Sequence, residues 1–531
     1  MFCLDLWNFS SLFVSVIILC VVRKVVSVLN IISKVGLVTI ALLLVPMVGD
    51  LAWAADPTPV EAAATAAGTA QNSADTAWML ISSALVLLMT PGLAFFYGGF
   101  VRSKHVLNTM MMSFIMMGIV GVIWTLWGYS LSFAPGNKII GGFEWAFFNN
   151  VKADAGYYIS KDVLGNLGNI GAFVIDAVKG SPTEGAGTYA STIPHQLFAV
   201  YQMMFAIITP ALISGAIVER VSFKAYFWFM LLWAGILYPI FAHMVWGVGG
   251  FLGVNGGLGA LDFAGGTVVH ISSGVSALVA SWMIGPRKTY PNQPAAPHNV
   301  PYILLGAGLL WFGWFGFNGG SALGSNGLAT SAFVATQISA SAAALVWVIL
   351  EWVLRGKPTA VGVATGAVAG LVGITPGAGF VTPIAALLIG ALTSTGCFYA
   401  VSLKAKMQFD DSLDTFPVHG VGGTIGAILT GVFATNAVNP GILGKDPAGK
   451  LISLGLVDGN ANQIVTQIIA VAITYVLAGV GTFVILKLLS FVMPLRAKED
   501  SEYQGLDINE HGEEAYGEEF AAGLSLAEKE G

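Results

Sequence analysis

Polar residues in this chain are bunched into short stretches, and between them lie long apolar tracts. Eleven such tracts can be read, at about 77–99, 107–133, 193–218, 224–248, 264–285, 301–318, 329–354, 360–374, 379–402, 417–437 and 463–492. An apolar run near 20 residues is long enough to cross a bilayer as a helix. The sixth and eighth tracts are the shortest and are rich in Gly. The pattern predicts an all-α polytopic membrane protein with eleven transmembrane helices.

Composition agrees. Of 531 residues, 56% are hydrophobic and only 10% charged, where soluble domains carry about a quarter. Disorder needs low hydrophobicity and high net charge, the opposite balance. The formal net charge of −6, with no basic stripe, argues against nucleic acid as a partner. The three Cys are Cys3, Cys20 and Cys397. Two fall in the extreme N-terminal segment, and no pair has metal-ligand spacing.

That N-terminal segment, residues 1–55, reads as an extension carrying a signal peptide. Lys34 precedes the apolar run Val35–Val48, which leads to Leu51-Ala-Trp-Ala-Ala55 and then to Asp56-Pro57. A basic flank, a short apolar core and small residues at the exit are the marks of a secretory signal, with cleavage after about Ala54 or Ala55. An earlier apolar run, Leu12–Val22, is either an extra helix or lies upstream of the true start, and we prefer the second reading. Residues 56–76 then form an external lead, 77–492 the membrane domain, with an external insertion at about 134–192, and 493–531 a tail.

Charge sets orientation. With the first helix starting outside, the cytoplasmic loops carry Arg102 and Lys104, Arg220 and Lys224, Arg287 and Lys288, Arg355 and Lys357, Lys404 and Lys406. The short loops between helices four and five, six and seven, and eight and nine carry none. The positive-inside rule places the N-terminus outside and the tail in the cytoplasm, in agreement with a signal peptide.

Five helices that start outside end inside, so a second copy of five would be inverted. Asp262 precedes His270 by eight residues at the start of helix five, and Asp411 precedes His419 by eight at the start of helix ten. Small residues follow each histidine: Ile271-Ser-Ser-Gly and Gly420-Val-Gly-Gly. We read an inverted five-plus-five repeat with an eleventh helix outside it. Such repeats place substrate sites near the midplane, at the repeat interface.

Ionisable residues within a bilayer are costly and point to function. In the repeat, His270 and His419 project toward the pseudo-two-fold axis, where two imidazoles sharing a proton can relay it or bond a small polar solute. The alternative is two separate structural histidines bonded to carbonyls. A metal site fits poorly, for want of a third ligand beside them. Asp262 is either an attractor of cations or an N-cap for the N–H groups of Gly265 and Gly266; capping is preferred. Asp411 and Asp414 read similarly. Tyr201, Phe205, Trp246, Trp314, Phe317 and Ser321 all lie at the outer ends of helices. Interfacial aromatics are usually lipid anchors. Phe205, Trp246 and Ser321 could instead form an aromatic cage for a small cation.

Together the strings resemble the ammonium transporter family, the Amt/Mep/Rh group. They are Tyr-Gly-Gly (97–99), Tyr-Gln-Met-Met-Phe (201–205), Ala-His-Met-Val-Trp-Gly (242–247), Asp-Phe-Ala-Gly-Gly-Thr-Val-Val-His (262–270), Gly-Trp-Phe-Gly-Phe-Asn (313–318), Val-His-Gly-Val-Gly-Gly (418–423) and Gly-Leu-Asp-Ile-Asn-Glu-His-Gly-Glu-Glu-Ala-Tyr (505–516). The external Trp and Ser, the signal peptide and the short tail resemble the bacterial Amt branch. The resemblance implies eleven helices around one pore per subunit, homotrimers, and no cofactor or catalytic residue. It implies an external ammonium site of Phe205, Trp246 and Ser321 supported by Asp262 and Tyr201. It further implies a gate of Phe205 and Phe317, and a pore lined by His270, His419 and Trp314. Tyr201 stands where the family often has Phe, and the 134–192 region is longer than in a compact member.

Transport of ammonium or ammonia, with methylammonium as a further substrate, into the cell through an inner (plasma) membrane is therefore the expected function. Dehydrating an ammonium ion costs more than an apolar pore returns, so deprotonation on entry is expected; whether the proton follows along His270 and His419 or returns outside decides electrogenicity, and the resemblance implies net electrogenic transfer. Alternatives are an ammonium sensor working through PII-type regulatory partners at the cytoplasmic face, and a passive Rhesus-like gas channel. The tail has no room for a signalling domain of its own. An intramembrane enzyme is disfavoured, since neither HExxH nor GxSxG occurs.

Overall fold

The computed structural model describes residues 59–154, 188–291, 296–407 and 409–516. The chain divides into two units, Met1–Thr65 and Ala66–Gly531. The expected signal peptide, most of the insertion (155–187) and the end of the tail (517–531) lie outside the described residues.

Among those residues, ten helices are long and apolar enough to cross a membrane. They are α1 (Thr69–Phe100), α2 (Ser103–Phe133), α3 (His195–Ala216), α4 (Phe223–Trp246), α5 (Gly266–Ile284), α6 (Val300–Ala322), α7 (Gly327–Arg355), α9 (Pro383–Lys404), α10 (Phe416–Phe433) and α11 (Asn462–Ser490). Between α7 and α9 lies α8 (Ala360–Ile374), apolar but only 15 residues long. At 1.5 Å per residue it spans about 22 Å, short of the ~30 Å hydrocarbon core. From Gly366 to Ile374 every residue is buried, so this part of the helix is enclosed by protein.

All eleven apolar tracts are helices, and most boundaries fall within a few residues. The largest departure is at the first tract, read from 77, whose helix α1 already runs from Thr69 through the polar lead; two smaller ones have local causes. The tract starting at 379 becomes helical only at Pro383, because Gly377–Phe380 is a turn that sends Phe380 against Phe263. The tract ending at 437 stops at Phe433, since Ala434 is extended and the Thr435 hydroxyl and Asn436 N–H both donate to Asp458.

Packing repeats after five helices. Helix α2 packs on α3 and α4, and α3 on α5; correspondingly α7 packs on α8 and α9, and α8 on α10. Helix α11 lies outside the pairing, against α5 and α10. Where α5 crosses α10, a Cβ on Gly274 would sit 2.2 Å from the Gly420 nitrogen. The crossing is backbone against backbone, and only glycine permits it.

At the end of the bundle that carries the basic loops, a buried ion-pair network ties α1, α3, α5 and α9 together. Glu219 pairs with Arg102 at 3.1 Å and Arg287 at 3.2 Å, and Arg287 also pairs with Asp410 at 2.8 Å. Burial alone would push the Glu219 carboxyl up; Arg287, His105 and Arg102 outweigh it and hold it at about 2. The tail folds back here. Asp507 accepts from the N–H groups of Leu107 (3.0 Å) and Asn108 (2.8 Å), and Glu510 from Phe223 N–H (3.1 Å). Two tail carboxylates thus cap the first turns of α2 and α4, whose orphan N–H groups and dipoles favour an anion.

Candidate functional site

The site is built on two matching devices. In the first, Gly265 turns the backbone into the left-handed region (φ +115°), where a Cβ would meet Val269 at 2.6 Å. That turn aims the free N–H groups of α5 at Asp262. Its Oδ1 accepts from Gly265 (2.7 Å) and Gly266 (2.6 Å); its Oδ2 accepts from Thr267 N–H (2.7 Å) and the Thr267 hydroxyl. The Asp262 carbonyl holds the Trp246 indole N–H at 2.9 Å. In the second device, Asp411 accepts from Thr415 N–H (3.1 Å) and Phe416 N–H (2.7 Å) at the start of α10. Burial pushes the Asp411 carboxyl up, with Lys404 opposing. Each helix then opens with a wide π-turn, Gly266–Ile271 and Phe416–Val421, and each π-turn carries the histidine. The Asp-to-His spacing of eight is thus the spacing from a cap to the residue it presents.

The histidines meet. His270 and His419 approach through their Nδ1 atoms at 3.3 Å, with rings 5.3 Å apart. The surrounding bonds assign the protons. The Thr375 hydroxyl donates to Leu371 O at 2.7 Å and accepts the Trp314 indole N–H at 2.9 Å. Its remaining lone pair faces His270 Nε2 at 3.3 Å. A neutral His270 therefore carries its proton on Nε2 and accepts at Nδ1 from His419, which leaves His419 Nε2 as a free acceptor.

Two cavities flank a pair of phenylalanines, Phe205 lining one and Phe317 the other. The outer one, about 50 Å³, is lined by Phe205, Trp246, Asp262 and Ser321 and also by Gln202 and Asn255. The inner one, about 10 Å³, is lined by His270, His419, Trp314 and Phe317, and otherwise by aliphatic side chains, Met89 and Phe96. It is near the lower limit for holding a single water. Between the cavities, Phe205 and Phe317 stack at 4.2 Å, both shut off from solvent. The Trp246 ring stands edge-on to Phe205 at 6.0 Å. Trp314 stacks on His270 at 5.4 Å.

All nine residues singled out in the sequence converge here, with two qualifications of geometry. Asp262 lines the outer cavity, but both its carboxylate oxygens are taken up by the α5 cap. Tyr201 is fully buried behind the cavity wall, with its hydroxyl on α6. Sequence reasoning missed Thr375, Gln202 and Asn255. The last two carry buried amide oxygens without a hydrogen-bond partner. Only the adjacency of Gln202 to Tyr201 hinted at any of them.

Comparison with known proteins accords with this geometry. Residues 77–516 match the model of the Ammonium Transporter Family. The chain is 48% identical over 443 residues to an ammonium transporter of Bacillus subtilis, covering 83% of this chain and 98% of that one. It is 40% identical to ammonium transporter Amt1 of Archaeoglobus fulgidus, covering 84% and 100%. The crystal structure of Saccharomyces cerevisiae Mep2 superposes with a TM-score of 0.68 at 34% identity, over 80% of this chain and 88% of that one. A structure titled Sensor Amt Protein does so with a TM-score of 0.69 at 27% identity, over 83% and 99%. The chain is a multi-pass membrane protein that belongs to the ammonium transporter family.

Proposed function

We propose that this protein takes up ammonium by deprotonating it at a closed aromatic gate and passing ammonia and the proton on by way of the histidine pair. One observation carries the reading: an aromatic, acceptor-bearing outer cavity is separated by a stacked phenylalanine pair from a small, mostly apolar cavity whose main polar feature is two touching imidazoles. Phe205 and Trp246 offer ring faces to a cation, and Ser321 offers an acceptor. Beyond the gate, no acceptor set replaces the hydration of an ion, so a charged species is excluded there. Ammonia crosses as a neutral molecule that can donate to His419 Nε2. Inward relay uses the opposite tautomer: His270 takes the displaced proton at Nε2 and passes its Nδ1 proton to His419 Nδ1 across their 3.3 Å contact, and His419 releases its Nε2 proton on the far side. Potassium resembles ammonium in charge and size but has no proton to lose, so it stops at the gate.

The loop charges support an orientation with the Trp246 end outside and the tail in the cytoplasm. Within this reading the protein works as a homotrimer with one pore per subunit, and a PII-type regulator docks at the basic end beside the folded tail.

The test is an ammonium-driven current in proteoliposomes. A current that follows the ammonium gradient, unchanged by equal potassium, is expected. Ammonia flux without current would replace this reading with that of a passive gas channel.

A further inference from the structure

Tyr201 is the residue of the site whose sequence expectation and position differ most. Its side chain is fully buried, and it touches both halves of the gate. The ring packs edge-on against Phe205 at 5.0 Å. The hydroxyl reaches the last turn of α6, within 2.9 Å of Phe317 O, 3.0 Å of Gly316 O and 3.2 Å of Ser321 Oγ. Resting on the transport reading above, we propose that Tyr201 is a positioning residue. Its hydroxyl pins the α6 turn that carries Phe317 and leaves Ser321 oriented as an acceptor toward the outer cavity.

Proton accounting supports this. The Ser321 hydroxyl donates to Phe317 O at 2.8 Å, one turn back along its own helix. Tyr201 has a single proton, and the two carbonyl oxygens are its nearest acceptors. With Tyr201 donating to the α6 carbonyls and Ser321 donating to Phe317 O, neither proton points into the cavity. Both Ser321 lone pairs then remain for N–H donors of a cation. Without the tyrosine hydroxyl, the Gly316 and Phe317 carbonyls lose their tie to α3, and the last turn of α6 no longer holds Ser321 at a fixed place on the cavity wall. Gly320 makes room for this side chain: a Cβ there would lie 2.7 Å from the Tyr201 oxygen and 2.8 Å from its ring Cε2. A phenylalanine here would keep the ring against Phe205 and lose only the tie to α6. The tyrosine thus separates two properties that phenylalanine cannot: ring packing at the gate, and the fixed place of the cavity hydroxyl.

The experiment is a double-mutant cycle in proteoliposomes, reading KM and maximal current for ammonium in wild type, Tyr201→Phe, Ser321→Ala and the double variant. Tyr201→Phe is expected to raise KM about fivefold, the effect of one net hydrogen bond, and to raise it no further when Ser321 is already Ala. Maximal current per protein follows the ring packing and changes less than KM. An unchanged KM in Tyr201→Phe overturns the proposal. So does an equal rise in both backgrounds, since the effect would then not run through Ser321. If Tyr201→Phe fails to accumulate in membranes, Gly320→Ala, whose Cβ would lie 2.7 Å from the hydroxyl oxygen and 2.8 Å from the ring Cε2, displaces the Tyr201 side chain and is read in the same cycle: KM is expected to rise with Ser321 present and not with Ser321→Ala, and an unchanged KM or an equal rise in both overturns the proposal. A wild-type protein without ammonium current would instead sink the transport reading and be recognised before any variant is compared.

Discussion

The Asp262 and Asp411 regions are the same device in different settings. Both aspartates cap a helix that opens with a π-turn, and both present a histidine eight residues on. At the Asp262 end the cap faces an aromatic cavity, and its carboxylate bonds are to N–H groups and the Thr267 hydroxyl. At the Asp411 end, Lys404 donates to the Asp411 carbonyl and Arg220 to the Asp410 carbonyl, inside a mesh that includes Glu219 and Arg287. Shared backbone chemistry places the two imidazoles. The different surroundings leave one end open to an aromatic cavity and make the other a charge-locked joint where tail and loops meet.

This comparison can be broken at its caps. Asp262→Ala leaves three buried N–H groups unmet and frees the Trp246 support to shift, a loss on the order of 3 kcal/mol or more. Asp411→Ala leaves two and costs less. Thermal unfolding of the purified protein and current per protein should both rank wild type first, Asp411→Ala second and Asp262→Ala last. The reverse rank would mean that the cap at the Asp262 end is dispensable. A smaller effect is expected at the crossing of α5 and α10. Gly274→Ala drives a methyl into the Gly420 backbone, at about 1–3 kcal/mol for overpacking, and should part the histidines and lower the current in a protein that still folds. Retained current would show that the Nδ1 contact is not needed.

A third way to sharpen the comparison is the pH response of the charge-locked end. Glu219 has a folded value of about 2 against an ordinary 4.5. A depressed carboxylate contributes stability above its unfolded value, and loses that contribution as pH falls through the folded one. Unfolding temperature should therefore hold from neutrality to about pH 5 and fall between ~4.5 and about 2, and Glu219→Gln should blunt that fall. An equal fall in the variant would place the acid-sensitive group elsewhere.

Much of this was legible in the sequence because it is local. Apolar runs gave the eleven helices, and the Asp262–His270 and Asp411–His419 spacings gave the inverted repeat and its two caps. Contacts between distant segments were not legible. Thr375, which sets the protons of the histidine pair, lies 105 residues from His270 and follows a Gly-rich helix that offers no polar signal. The cap that Asp507 places on α2 closes over 399 residues. Tyr201 was read from the sequence as an aromatic near the mouth; that its hydroxyl serves α6 depends on a fold in which α3 and α6 touch.

The central claim is that the touching histidines relay the proton of ammonium. It is tested most directly by currents in proteoliposomes carrying wild type, His270→Ala or His419→Ala, under ammonium and potassium gradients. The account predicts an ammonium current without potassium current in wild type. In each variant it predicts either loss of the current or a current that potassium now shares. Wild-type ammonium current with undiminished selectivity in both variants would contradict it.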